Sequence, residues 1–180
     1  MKKTVLLFVS VLLIYAVQAQ SGNDVKTVPG RTSFYAELGG PGILFSANID
    51  SRFKPSHLGL GGRVGIGFVT ADETVYNPGN DYPTYESRSV ITVPVQLNYI
   101  FGKGNSPHTF EVGGGVTYVG RNLEVLNFYE DNTSNFFGSF AFMYRRQPAD
   151  GGFTWRIGFT PLVAKGYIQP FGAAGVGFSF

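Results

Sequence analysis

From residue 32 to the last residue, apolar and polar or small positions alternate with period two, the pattern of β-strands that present one face to an apolar medium. In the stretch Phe171 to Phe180, the side chains of Phe180, Phe178, Val176 and Ala174 share one face. Ser179, Gly177, Gly175 and Ala173 share the other. The same alternation predicts eight strands, at 32–40, 42–53, 57–69, 89–101, 108–119, 135–146, 152–162 and 171–180. Each is close to the roughly 9–11 residues a tilted strand needs to cross a bilayer. Apolar outward faces are expected from Phe34, Ala36 and Leu38; Ile43, Phe45, Ala47 and Ile49; Leu58, Leu60, Val64, Ile66 and Phe68; Ile91, Val93, Val95, Leu97, Tyr99 and Phe101. They continue with Phe110, Val112, Val116 and Tyr118; Phe136, Phe140, Phe142 and Tyr144; and Phe153, Trp155, Ile157 and Phe159. None of these is charged.

The connections sort by parity. Those after the second, fourth and sixth strands are KPSH, GKGNSP and QPADG, rich in turn formers. Those after the third and fifth are long and polar, 70–88 and 120–134, while Gly40-Pro41 and Ala164 to Pro170 are shorter links on the same side. Short turns at one end and long loops at the other are the asymmetry of an outer-membrane barrel. The fold expected is therefore all-β, an eight-stranded antiparallel up-and-down transmembrane β-barrel over 32–180. Long loops would lie outside the cell and both termini in the periplasm. Aromatics near strand ends, Tyr99, Phe101, Phe110, Tyr144, Phe153, Trp155, Phe178 and Phe180, would make a girdle at the periplasmic interface. Pro94 falls inside a strand, where it removes a ladder donor, so a bulge or an unpaired position is expected there.

Composition fits. The chain has 25 Gly, 17 Phe and 10 Tyr with 14% charged residues, and its mean hydropathy is only +0.05. A barrel exposes alternate residues to lipid, so near-neutral average hydropathy is what it should show. Residues 1–19, with Lys2 and Lys3 before an apolar run and Val17-Gln18-Ala19 at its end, read as a secretory signal peptide; 20–31 reads as a disordered periplasmic lead. Removing Lys2 and Lys3 from the 14 basic residues leaves 12 against 12 acidic ones, so nucleic acid is not an expected partner. With no cysteine, disulfides and thiolate metal sites are excluded.

The chemistry-bearing residues fall on the inward phase: Glu37, Asp50, Arg52, Arg63, Glu111, Arg145 and Arg156. An eight-stranded barrel is only wide enough to be filled by side chains, so these groups must meet, and arginine's planar fork can hold two carboxylates. A salt-bridge network is expected in the periplasmic half, with Glu111, Arg145 and Arg156 close together, Asp50, Arg52 and Arg63 nearby, and Glu37 higher. Packing that plugs the barrel is the plainer role for it, and a gated ion path or proton-sensitive switch the sharper one. Glycines 59, 61, 65 and 67 are expected to leave room for Arg63 and its neighbours. Both histidines, His57 and His108, fall in turns and read as solvated residues rather than catalytic ones. No enzyme, cofactor or metal site is expected. Acids and aromatics on 70–88 and 120–134, among them Asp72, Glu73, Glu86, Tyr129 and Glu130, offer a surface for an extracellular partner, or simply a solvated loop.

The stretches FYAELGG (34–40), RVGIGF (63–68), VPVQLNYIFGK (93–103), FEVGGGVTY (110–118), FTWRIGFTPL (153–162) and the terminal GFSF together resemble the small eight-stranded outer-membrane β-barrel family of Gram-negative bacteria, the OmpA/OmpX-like group. The resemblance implies residence in the cell outer membrane, outer-membrane lipid as partner and a monomer. It also makes Phe178 and Phe180 the signal read by the barrel-assembly machinery. With no domain expected after Phe180, the peptidoglycan binding of larger relatives does not carry over. The expected function is that of a non-enzymatic integral outer-membrane protein with a filled lumen and a structural or loop-mediated role. A narrow pore, or a soluble secreted barrel carrying a lipophilic ligand, are the alternatives.

Overall fold

Strand formers and turn formers fall where a closed meander needs them. In the computed structural model, which describes residues 30–75, 84–120, 135–164 and 166–180, the chain runs β1 (Thr32–Gly39), a 3-10 turn η1 (Gly40–Gly42), β2 (Phe45–Arg52), β3 (Gly59–Val75), β4 (Thr84–Gly102) and β5 (His108–Val119). There follow β6 (Phe136–Arg146), β7 (Gly152–Phe159), β8 (Leu162–Ala164), β9 (Tyr167–Gln169) and β10 (Gly172–Ser179). The signal peptide, residues 20–29 of the lead, the centres of the two long loops and the loop side chains named above lie outside the described residues.

All neighbours are antiparallel, and the sheet closes through β1 against β10, from Ser33↔Ser179 to Gly39↔Ala173, and through β5 against β6. The ten strands make eight staves among the described residues. β8 keeps against β6 the register of β7, with Phe142↔Phe159 leading on to Ser139↔Leu162, and β9 keeps against β8 the register of β10 against β7. Pro161 and Pro170, which have no N–H to give, break these two staves. The ladder survives the break: Thr160 N–H donates to Phe171 O at 2.7 Å and Phe140 N–H to Pro161 O at 3.0 Å.

Three boundary expectations change. The segment 70–88 is largely hairpin, because β3 continues to Val75 and β4 begins at Thr84, with Val75↔Thr84 paired. A hairpin extension needs its ladder but no apolar face, and Thr, Val and Tyr keep strand propensity there. Ala164 to Pro170 is likewise a continued hairpin rather than a loop. Within the lead, Gly30 and Arg31 are ordered: Arg52 N–H donates to Arg31 O at 3.1 Å, and Arg31 Nε donates back to Arg52 O at 3.0 Å. At Pro94 the register is unbroken, running from Val64↔Val95 to Gly67↔Thr92, so no bulge forms. Pro94 pairs with Thr117 on its other side only, and the missing donor appears as a gap in the β3–β4 ladder.

Sidedness follows the alternation. Phe34, Leu38, Ile49, Leu60, Val64, Ile66, Phe68, Ile91, Val95, Leu97, Phe101, Phe140, Phe142, Ile157, Phe159 and Val176 are exposed on the outer surface. Their inward neighbours are buried, apart from glycines such as Gly65, Gly158 and Gly177, which are half-buried. At the turn end outer aromatics line much of the wall: Phe101↔Phe110 and Phe110↔Tyr144 sit side by side, the Tyr144 and Trp155 rings lie 5.2 Å apart, and Phe153↔Phe178 and Phe34↔Phe178 continue the row to β1. Ile43 is the exception to the expected faces. It is 4% exposed and turns inward, because Gly39, Gly40 and Gly42 around Pro41 fold the β1–β2 connection into the lumen and shift the phase.

Candidate functional site in the barrel lumen

Seven charged side chains were expected inside, and all seven lie there, each at most 3% exposed. Their pairing is set by which staves carry them. Asp50 on β2 receives Arg52 Nη2 and, on its second oxygen, Arg145 Nη1 from across the lumen. Arg145 also reaches Glu111 Oε2 at 3.1 Å, and Arg156 Nη1 lies 3.1 Å from both oxygens of Glu111. Arg156 Nε stands 3.2 Å from Glu37 Oε2, and Arg63 Nη2 pairs with Glu37 Oε1. Glu37, expected as the higher member of the network, links Arg63 to Arg156. The result is one chain of ion pairs, Arg52–Asp50–Arg145–Glu111–Arg156–Glu37–Arg63.

Neutral polar groups hold the ends of this chain. Asn98 accepts from Arg52 Nη2 at 2.7 Å and donates to Glu111 at 3.0 Å and Asp50 at 3.3 Å. Asn48 and Gln96 accept from Arg63 at 3.1 and 3.2 Å, and Ser33 accepts from Arg145 at 2.8 Å. Tyr35 stands in the middle, 1% exposed, its hydroxyl accepting from Arg156 at 2.8 Å. The guanidinium carbons of Arg156, Arg63 and Arg145 lie 4.9, 5.4 and 6.0 Å from its ring centre, within cation–π range. Counting charges alone does not find Tyr35, Asn48, Gln96 or Asn98, although each sits on the inward phase of its strand.

Glycine makes the room. Gly61 stands opposite Arg52, Gly65 opposite Asn48, Gly115 opposite Gln96 and Gly177 opposite Tyr35. A Cβ at any of these would overlap the residue it faces. The room at 61 and 65 therefore serves the neighbours of Arg63, namely Arg52 and Asn48. Gly59 has open space around it and is needed for its φ of +96° instead.

Both ends of the ionic layer are covered. Toward the loop end, Ile43 packs with Val69, Val90, Val119, Phe137, Leu162 and Ala164 in an apolar layer. Thr117 Oγ1 donates to Pro41 O at 3.0 Å and Thr92 Oγ1 to Gly42 O at 3.1 Å, tying the inward turn to the opposite wall. Toward the turn end, Gln147 Nε2 donates to Gly30 O, and a Cβ on Gly30 would lie 3.3 Å from that of His57. His57 is 9% exposed, not solvated as its turn position suggested, and its burial lowers its pKa against a smaller opposing pull from Asp150. His108 is exposed and bonded to the Tyr144 hydroxyl. Phe178 and Phe180 are 58% and 59% exposed on the outer face.

Chemically the site is a lattice of buried ion pairs. No family model matches the sequence, and no curated protein matches it. Among solved structures the chain is similar to the N-terminal β-barrel domain of Pseudomonas aeruginosa OprF, at 10% identity with a TM-score of 0.49, covering 83% of this chain and 95% of that one.

Proposed function

We propose that this chain is a non-enzymatic integral outer-membrane protein whose plugged barrel serves a structural role or carries loops for surface interaction. The observation that supports this best is the sidedness. Arg63, Arg145 and Arg156 point to the axis while Phe142 and Ile157 point away from it, the reverse of what a soluble carrier of a lipophilic ligand requires. An uncharged outer wall ringed by aromatics at one end suits a hydrocarbon slab with an interface, and a water-soluble barrel would have to leave that whole surface wet. The buried ionic layer and the apolar layer beside it also argue against the pore reading. On this reading the hairpin at 70–88 and the loop at 120–134 face outside, and Phe178 and Phe180 lead the chain to the barrel-assembly machinery.

The test is fractionation followed by gel migration with and without heating. The folded protein is expected in the outer-membrane fraction, migrating differently before and after boiling. Recovery in the aqueous phase after detergent partitioning would overturn the assignment, and discrete single-channel steps in planar bilayers would replace the plugged barrel by a pore.

A further inference from the structure

The buried lattice does not balance. Among the described residues, four guanidinium groups, Arg52, Arg63, Arg145 and Arg156, share the lumen with three carboxylates, Glu37, Asp50 and Glu111. Arginine does not shed its proton, so the excess positive charge cannot be relieved by titration. The excess has a location. Arg145 and Arg156 stand directly opposite each other on β6 and β7, a like-charge cross-strand pair that is unfavourable unless something negative lies between. Glu111 Oε2 answers part of this, receiving both at 3.1 Å. Three further N–H groups of the same pair are buried without a hydrogen-bond acceptor: Arg156 Nε has only its ion-pair contact with Glu37 Oε2 at 3.2 Å, and Arg145 Nε and Arg156 Nη2 have no partner. Unmatched donors at this depth are costly, and those of a charged group most of all.

We propose that the lumen binds one small monovalent anion, of chloride size, at Arg145 Nε and Arg156 Nη2, as a fourth negative charge that completes the lattice. A water molecule would satisfy the two donors but leave the charge uncompensated, so the two occupants differ in what they predict.

The full-length mature protein, refolded in a zwitterionic detergent, is unfolded in urea across a series of sodium chloride concentrations and across sodium gluconate at the same ionic strengths. The unfolding midpoint is expected to climb with the logarithm of chloride concentration and to stay flat in gluconate, which is too large to enter, because a ligand bound only by the folded state stabilises by mass action. Gln96→Glu keeps the side-chain shape and the acceptor for Arg63 while supplying the missing negative charge. It is expected to lose most of the chloride response. Crystals grown in sodium bromide provide an independent measurement, with an anomalous peak expected within hydrogen-bonding distance of both nitrogens. Equal midpoints in the two salts, a full chloride response in Gln96→Glu, or bromide absent from between Arg145 and Arg156 would each overturn the proposal.

Discussion

Arg52 and Gly61 face each other across β2 and β3, and the guanidinium of Arg52 occupies the space that any side chain on residue 61 would need. The glycine is the condition for the arginine. Gly61→Ala forces the guanidinium away from Asp50 and Asn98, so the loss combines overpacking with a disturbed buried charge. A destabilisation of about 1–3 kcal/mol is expected from overpacking alone, and more if the ion pair breaks. Equilibrium urea unfolding in detergent measures it. Gly59→Ala should also cost something, through its positive φ, but without disturbing Arg52.

Glu111 is the residue on which three partners converge: Arg145, Arg156 and Asn98. Replacing it by Ala leaves two buried guanidinium groups facing each other with no carboxylate between them. A loss of about 3–5 kcal/mol follows from removing one partner of a buried pair. An unfolding midpoint unchanged in Glu111→Ala would mean that the ion pairs seen here contribute little.

Phe142 is 42% exposed on the outer wall, between Val112 on β5 and Phe159 on β7. On the membrane reading, Phe142→Arg places a charge among acyl chains and should cost about 2–4 kcal/mol in lipid vesicles. Lipid is the deciding variable. If the same substitution is equally tolerated in vesicles and in water, the outer wall does not face a bilayer.

How much of this was legible in the sequence depends on which physical constraint was involved. Period-two alternation set the staves and the sidedness, because a strand with one buried face can be built in only one phase, and the seven buried charges followed from the same phase. Pairing was not legible, since Asp50 faces Arg63 directly across β2 and β3, yet Arg63 pairs with Glu37 on β1. Gly61, Gly65, Gly115 and Gly177 looked like freedom for the chain, and their role as the counterparts of Arg52, Asn48, Gln96 and Tyr35 needs the register. Ile43 departs from its expected outward face because Gly39-Gly40-Pro41-Gly42 resets the alternation. Val69, Val90, Val119 and Phe137 do not stand out in the sequence for a related reason: an apolar residue on the inward phase breaks the expectation of a polar lumen, yet it is what a dry cap is made of.

His57 lies under the lead at the turn end, and burial holds its pKa below the ordinary histidine value. A depressed folded pKa means that the unfolded chain binds the proton more readily. The contribution is therefore fully present above the unfolded value of about 6.5 and is lost as pH falls through that value toward the folded one. Unfolding midpoints of the wild type should drop between about pH 7 and 5 more steeply than those of His57→Gln, which has no proton to bind. Parallel curves for the two proteins would show that His57 is as wet when folded as when unfolded.

Ile43 sets two effects against each other. Its φ of 73° and ψ of −79° are the angles of the rare, strained γ conformation, which a β-branched residue tolerates badly, while its side chain fills the apolar layer against Val69, Val90 and Leu162. Truncating a buried isoleucine costs about 2–5 kcal/mol, and backbone strain of this kind is worth about 1–3 kcal/mol, so packing wins and isoleucine is kept. Ile43→Ala and Ile43→Gly should both destabilise. Their order is the informative part: alanine loses the packing and keeps the strain, whereas glycine loses the packing and is released from the strain. Ile43→Gly should therefore unfold at higher urea than Ile43→Ala, by about 1 kcal/mol, the reverse of the usual order inside a strand. The ordinary order at residue 43 would mean that the turn does not hold its inward conformation, and that the cap over the ionic layer is looser than these contacts imply.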